Sequence, residues 1–402
     1  YLSKIDEKVE ELAYHFKNSA NKEKAVIYLN KAGDKAQSLY AFKNAINYYR
    51  DSIKILELTE LEKEQLTQLS EIYNKLAFSQ STVGKRKEAK INLNKALKCC
   101  RKIKDRDNES LTLMNMGNLY GEMGKWNKAI VCFQDSLLIG EEVNNLKRKA
   151  RTIKSMGVTY LFKGDTERGY KYLKDSLKIC EEIKAEALYA MVLNNIGIYY
   201  DMAGKWENAV EYYKKSLSIS KKLNNLILIP NIMGNLGFAY SSLNKPERAI
   251  YYFKESVKLS AKIGDVYNKG VNLIHLGEEY LKEDKLNKTR HYIVKAEEIF
   301  ETLEDKLGLA DIFKLKGILF KKTKDWESSD KFFKKSLKIY SQKRDRLNEG
   351  ETYYEWGNML ILKKDISLAK RKLLKSKEIL GNIGAKKYIK EIEEKLNNLK
   401  KQ

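Results

Sequence analysis

The same pattern of residues returns every 40 positions along most of this chain. Gly117, Gly157, Gly197, Gly237, Gly277, Gly317 and Gly357 are evenly spaced, and Ala77 holds the same phase one step earlier. A period of this length means one supersecondary unit repeated, each copy burying its apolar face against the next, and it excludes a fold built round a single non-repeating core. Three residues after the glycine come Tyr120, Tyr160, Tyr200, Tyr240 and Tyr280, then Phe320. Twelve after it the side chain is small, as at Ala89, Ala129, Gly169 and Ala209; sixteen after it large, as at Phe133, Leu173, Tyr213 and Phe253; nineteen after it small again, as at Ser136, Ser176 and Ser216.

These offsets place one set of residues on a face of a first helix and another on a face of a second. Between the helices stand Gly84, Gly124, Gly164 and Gly204, then Asn244 and Asp284, residue types that tolerate a left-handed backbone. A second turn signal closes each unit: Lys104-Asp105, Asn144-Asn145, Asn224-Asn225, Gly264-Asp265, Arg344-Asp345 and Gly384-Ala385. Glycine inside a helix costs about 1 kcal/mol against alanine, so seven at one phase require a compensating contact. The pattern supplies one: two helices approach closely at Gly197 and Ala209, with Tyr200 and Tyr213 filling the space beside them.

Composition agrees, since Pro230 and Pro246 are the only prolines and a third of the residues are charged. The expected fold is all-α, a right-handed α-α superhelix of eight 40-residue hairpins with flanking helices. The units run 65–104, 105–144, 145–184, 185–224, 225–264, 265–304, 305–344 and 345–384. Residues 1–64 form a helical segment off this register that leads into the array. In 385–402 the stripe Tyr388, Ile389, Ile392, Leu396 and Leu399 predicts a capping helix. Unit seven fits least well, because Lys316 stands where an apolar residue belongs, and a loosely packed hairpin is expected there.

The succession of large apolar, Gly or Ala, Tyr, then Ala, Phe or Tyr, and Ala or Ser resembles the tetratricopeptide repeat over residues 65–384. It departs from that family in its period, 40 rather than 34, and in lacking the proline that commonly closes the second helix; longer helices explain both. The segment Leu12-Ala13-Tyr14-His15-Phe16, followed by residues 31–41, resembles the start of the helical array in large signal-transduction ATPases, some fused to a nucleotide cyclase. That resemblance implies catalytic domains upstream, and Tyr1-Leu2-Ser3, with neither an initiator Met nor a signal peptide, reads as an excerpt from a longer protein.

Chemistry is scarce. Gly84-Lys85, Gly124-Lys125 and Gly204-Lys205 lack the upstream glycine, the following Ser or Thr and the preceding strand of a phosphate loop. His15, His275 and His291 have no metal-ligand spacing, and Cys99, Cys100, Cys132 and Cys180 have neither that nor a disulfide framework. No catalytic residue, cofactor or metal is assigned. No apolar run reaches the roughly 20 residues of a membrane span, so a soluble, cytoplasmic protein is expected. The formal charge of +23 comes from lysine spread through nearly every unit, with no Arg-rich or aromatic-interleaved cluster, which argues against nucleic acid as the ligand.

The tetratricopeptide resemblance implies a groove lined by the first helices, with peptide contacts three before, two before and one after the repeat glycine. Those positions hold Asn74, Asn115, Asn118, Lys154, Asn194 and Asn195, then Asn235, His275, Glu278, Lys314 and Asn358, with Arg151 and Asn231 nearby. Asparagines there pair with a peptide main chain, or else stay solvated or bond between neighbouring helices. Arg151 and Lys154 beside Asn194 and Asn195 are the candidate anchor for an acidic residue or a C-terminal carboxylate. The expected function is a non-catalytic scaffold that holds a protein or peptide, as the sensor or docking arm of a larger signalling protein. The alternative is a regulatory segment of a multidomain ATPase or nucleotide cyclase.

Overall fold

A turn of two residues ends almost every helix of this chain, the first twisting left-handed and the second starting the next helix. Lys104, with φ at 56°, precedes Asp105, whose carboxylate accepts the Asn108 backbone N–H at 3.1 Å; Gly264 and Asp265 repeat the device on Asn268. The glycine turns foreseen at Gly84, Gly124, Gly164 and Gly204 all have positive φ, as do Asn244 and Asp284. Lys184, Glu304, Lys324 and Lys364 adopt the same conformation without a residue type that announces it. Gly384 lies outside the described residues.

The computed structural model describes residues 8–58, 61–382 and 385–400. Among them are 20 α-helices and no strand. The chain divides into two units, residues 1–239 and 240–402. The first holds α1 (Val9–Lys17), α2 (Lys22–Ser38), α3 (Phe42–Leu56), α4 (Lys63–Thr82), α5 (Arg86–Ile103), α6 (Arg106–Glu122), α7 (Trp126–Glu142), α8 (Leu146–Lys163), α9 (Thr166–Glu182), α10 (Glu186–Met202), α11 (Trp206–Lys222) and most of α12 (Leu228–Ser242). The second holds α13 (Pro246–Ile263), α14 (Val266–Lys282), α15 (Leu286–Thr302), α16 (Lys306–Lys322), α17 (Trp326–Lys343), α18 (Arg346–Leu362), α19 (Ile366–Asn382) and α20 (Lys386–Lys400). Consecutive helices pair as hairpins, and hairpins stack within each unit.

The compensation for the helical glycines is a ring. A Cβ on Gly117 would lie 2.5 Å from Phe133 and one on Gly317 would lie 2.6 Å from Phe333, while Tyr213 presses still closer on Gly197. The sixteenth-residue side chain therefore sits on the glycine rather than beside it. At Gly157 and Gly357 the same seat is taken by Leu173 and Leu373. The small residue at plus nineteen does more than leave room. Ser176, Ser216, Ser336 and Ser376 donate to the carbonyls of Ala150, Ala190, Ala310 and Gly350 at 2.7–2.9 Å, tying second helix to first inside the dry interior.

Two expectations change. The hairpin α2–α3 carries the array's own interior: a Cβ on Gly33 would lie 2.5 Å from the Tyr49 ring, and Ala45 and Ser52 are fully buried at the matching offsets. It stands four residues out of step with Ala77, which hid it from a strict 40-residue count. Lys316 does not loosen its hairpin. Its ammonium pairs with both oxygens of Glu297 at 2.6 Å and lies 5.2 Å from the Phe332 ring centroid, so the stem packs while the charge finds a partner. At the C-terminal end, α20 buries Ile392 and Leu399 against Leu373 and Leu380 of α19.

Candidate functional site

In the first unit, α6 and α8 are first helices of successive hairpins, and their facing sides line a groove of about 580 Å³. Asn115, Asn118, Leu119 and Glu122 come from α6; Lys154, Val158 and Phe162 from α8. Spacings of three and four put each set on one helix face. Phe78 of α4, Trp126 of α7 and Asn195 of α10 complete the walls. A recess of about 190 Å³ formed by Leu111, Met114, Asn145, Lys147, Arg148 and Arg151 opens nearer the N-terminal ends of the same two helices. The seam thus has two characters: cations along the first turns of α8, and an aromatic, apolar wall from Val158 to Phe162. Lys154 and Phe162 are eight residues apart, about 12 Å along the helix axis.

Asn115, Asn118, Lys154 and Asn195 therefore meet in one groove, with Arg151 in the adjoining recess. Asn74, Asn194, Asn231 and Asn235 are spent on the fold. Asn74 is buried, donates to Ser70 O and Thr112 Oγ1, and accepts from Asn115 at 2.8 Å. Asn194 is buried too and accepts from Asn235 at 3.0 Å. Each of these pairs joins the residue three before one glycine to the residue two before the next. Asn231 donates to the carbonyl of Ile227, in the turn just ahead of its own helix. Asn118 and Asn195 line the groove, and among the described residues neither side chain has a hydrogen-bond partner.

Lys154 is half-buried on the groove wall. Burial, and secondly the charge of Arg151, lower its ammonium from the ordinary lysine range to about 8. Among the described residues no carboxylate lies within ion-pair distance of it. The same repeat position in the second unit is Lys314, and there the surroundings are reversed. Lys314 donates to Asn348 at 2.7 Å and to Glu351 at 3.0 Å. Burial alone would lower it, but Glu351, Asp311 and Glu278 outweigh that and hold it above the usual lysine value. Burial would likewise raise Glu278, yet the hydrogen bond and charge of His275, with Lys314, keep it below the usual range; His275 Nδ1 lies 2.9 Å from Glu278. His275, Glu278 and Lys314 thus form a neutralised cluster. Asn358 is half-buried, and its Oδ1 has no hydrogen bond.

The repeat tyrosines line neither the groove nor the recess. Tyr160, Tyr200, Tyr240 and Tyr280 each stack on the aromatic residue twelve positions later, Tyr172, Tyr212, Tyr252 and Tyr292, with centroids 5.2–5.5 Å apart; Tyr120 is half-buried. Sequence reasoning missed the apolar wall. Its signal was available at one and five residues after the repeat glycine, where Phe78 and Phe162 remain more than half exposed although apolar.

A tetratricopeptide repeat profile matches residues 68–142 and 148–222, and a second matches 230–263. These stretches are tetratricopeptide repeats. The solved structures similar to the array include aspartyl phosphate phosphatase F from Bacillus subtilis, at 16% identity and a TM-score of 0.59 over 93% of each chain. A Rap protein complexed with competence and sporulation factor matches at 15% identity and 0.59, covering 94% of this chain and 97% of that one. A STAND protein with a tetratricopeptide repeat sensor from Pyrococcus horikoshii matches at 18% identity and 0.52, covering 89% of this chain and 54% of that one. Identities this low carry the fold alone. No curated protein matches the sequence. The repeats make the array a protein-interaction scaffold. Among the described residues no helix is long and apolar enough to cross a membrane, and no three His, Cys, Asp or Glu side chains gather as a metal site.

Proposed function

We propose that the array is non-catalytic and holds a peptide segment of a protein partner in the groove on α4, α6, α8 and α10. An apolar side chain of the partner packs between Phe78, Val158 and Phe162, while an acidic group, either a side chain or the C-terminal carboxylate, meets Lys154 and Arg151. Asn118 and Asn195 bond its main chain. The observation that carries this reading is the unpaired ammonium of Lys154 on a groove that also exposes the aromatic rings of Phe78 and Phe162. A partly desolvated cation with no internal partner gains most from an anion brought by a ligand.

Selection of 12-residue peptides from a displayed random library tests it. Enriched peptides should carry Asp or Glu, or a free C-terminus, beside Leu, Phe or Trp. Lys154→Glu and Val158→Trp should each weaken the selected peptides at least about tenfold with helicity unchanged. Selected peptides that bind Val158→Trp as tightly as the parent would remove the groove from the account.

The array works in a cytoplasmic signalling protein, with residues 1–64 leading into repeats 65–384 and 385–402 closing them. The likeness to the Pyrococcus horikoshii sensor, of which this chain spans about half, supports placing it as the regulatory arm of a multidomain ATPase or cyclase. Genomic sequence encoding a phosphate loop ahead of Tyr1 is the expected finding.

A further inference from the structure

Lys154 has a second use, which depends on its chemistry as an amine and not on a peptide in the groove. A lysine becomes a nucleophile only when its ammonium loses a proton, and water or a nearby carboxylate normally prevents that. Lys75 has Asp34 at 2.7 Å, Lys316 has Glu297 at 2.6 Å, and Lys321 pairs with Glu355. Lys154 has no such partner, and the groups that face it are Arg151 and Cys180, the thiol a weaker opposing influence. Burial also lowers Lys372 of the second unit, but its ammonium lies 3.5 Å from the centroid of Trp356, covered by the ring. Lys154 instead faces an open groove of about 580 Å³. One turn away on the same helix, Arg151 lines a recess with Lys147 and with Arg148, whose charge is met by Asp107 at 2.8 Å; Arg151 and Lys147 are the cations left to meet a phosphoryl group.

We propose that Lys154 is a site of N-acylation by small acyl phosphates, with Arg151 holding the phosphoryl group while the amine attacks the acyl carbonyl. The lone pair of Nζ forms the new C–N bond. The tetrahedral adduct collapses by breaking the acyl C–O bond to phosphorus, and inorganic phosphate leaves with that electron pair. The proton lost from nitrogen passes to phosphate or water. The product is a neutral amide where the groove held its free cation. If the peptide reading holds, acylation excludes acidic partners; the modification itself does not require that reading.

The intact protein is incubated with isotopically labelled acetyl phosphate at mildly alkaline pH, and acetylation is quantified at each lysine by mass spectrometry. Lys154 should label at least about fivefold faster than Lys75, Lys316 and Lys321. Labelling at or below the rate of those paired lysines overturns the site. N-acetylimidazole, a donor without phosphate, separates amine reactivity from docking. In Arg151→Gln, with helicity confirmed, the acetyl phosphate to acetylimidazole rate ratio at Lys154 should fall at least about threefold. An unchanged ratio overturns the role of Arg151 and with it the assignment to acyl phosphates.

Discussion

Lys154 and Lys314 hold one repeat position four repeats apart, and their ionisation is displaced in opposite directions. The difference lies in three neighbours at matching phases. Where Lys314 faces Asp311, Glu278 and Glu351, the corresponding residues round Lys154 are Arg151, Asn118 and Met191. The scaffold is the same, so the contrast isolates what a repeat protein varies: one inner-face lysine fastens neighbouring first helices, and the other has no ion-pair partner among the described residues. A polar residue on such a face acquires its role from the next repeat, not from its own.

Removing the two ammonium groups should therefore have unequal results. Lys314→Met leaves Glu351 and Asp311 without their cation and should cost about 3 kcal/mol in denaturant unfolding, whereas Lys154→Met should be neutral or stabilising. Equal losses would erase the distinction between fastening and free lysines. The glycines offer a second contrast. A Cβ at Gly197 collides with the Tyr213 ring, so Gly197→Ala should destabilise by about 1–3 kcal/mol and Gly197→Leu by more. At Gly277 the nearest atom is the Leu315 Cδ2 methyl at 3.0 Å, and Gly277→Ala should lie near neutral because relief of the helical glycine penalty offsets the squeeze.

Asp201, in the first unit, sharpens the comparison with the paired carboxylates of the second. Burial raises its carboxyl to about 7 despite the hydrogen bond from Tyr213, and Oδ1 has no partner. A folded value above the unfolded one means that this group favours the native state fully below about pH 4 and that the advantage is lost as pH rises through 7. Asp201→Asn should thus raise the melting temperature at pH 8, by about 1–2 kcal/mol of stability, with the gap closing towards pH 4. A pH-independent gap would show that packing rather than charge is at issue. The smallest change is spectroscopic. Arg151→Asp with Asn118→Glu and Met191→Glu gives Lys154 the three carboxylates that surround Lys314, and its titration, followed by NMR, should move from about 8 to above the ordinary lysine range, with acidic peptides losing about tenfold in affinity.

Much of this architecture was written in residue spacing. The turn glycines, the small positions and the ring sixteen residues on each impose a local requirement that recurs, and recurrence makes it legible. The hairpin at Gly33 and Tyr49 escaped only because four extra residues break the beat. Lys316 was misjudged because a lysine stem counts as polar in a pattern but packs as apolar once Glu297 takes the charge. The candidate site was half legible. Lys154, Asn118 and Asn195 line one groove, as their phase predicts, whereas Asn74 and Asn194, selected by the same rule, are interior fasteners.

The sequence alone determined that helical hairpins form, where they turn and which helix faces are buried, because helix geometry converts spacing into facing within a single unit. Only the tertiary structure decided which inner-face residues are free. Their hydrogen-bond partners stand about 41 positions away on the neighbouring hairpin, and the cost of burying a charge is summed over every atom around it, wherever in the chain that atom lies.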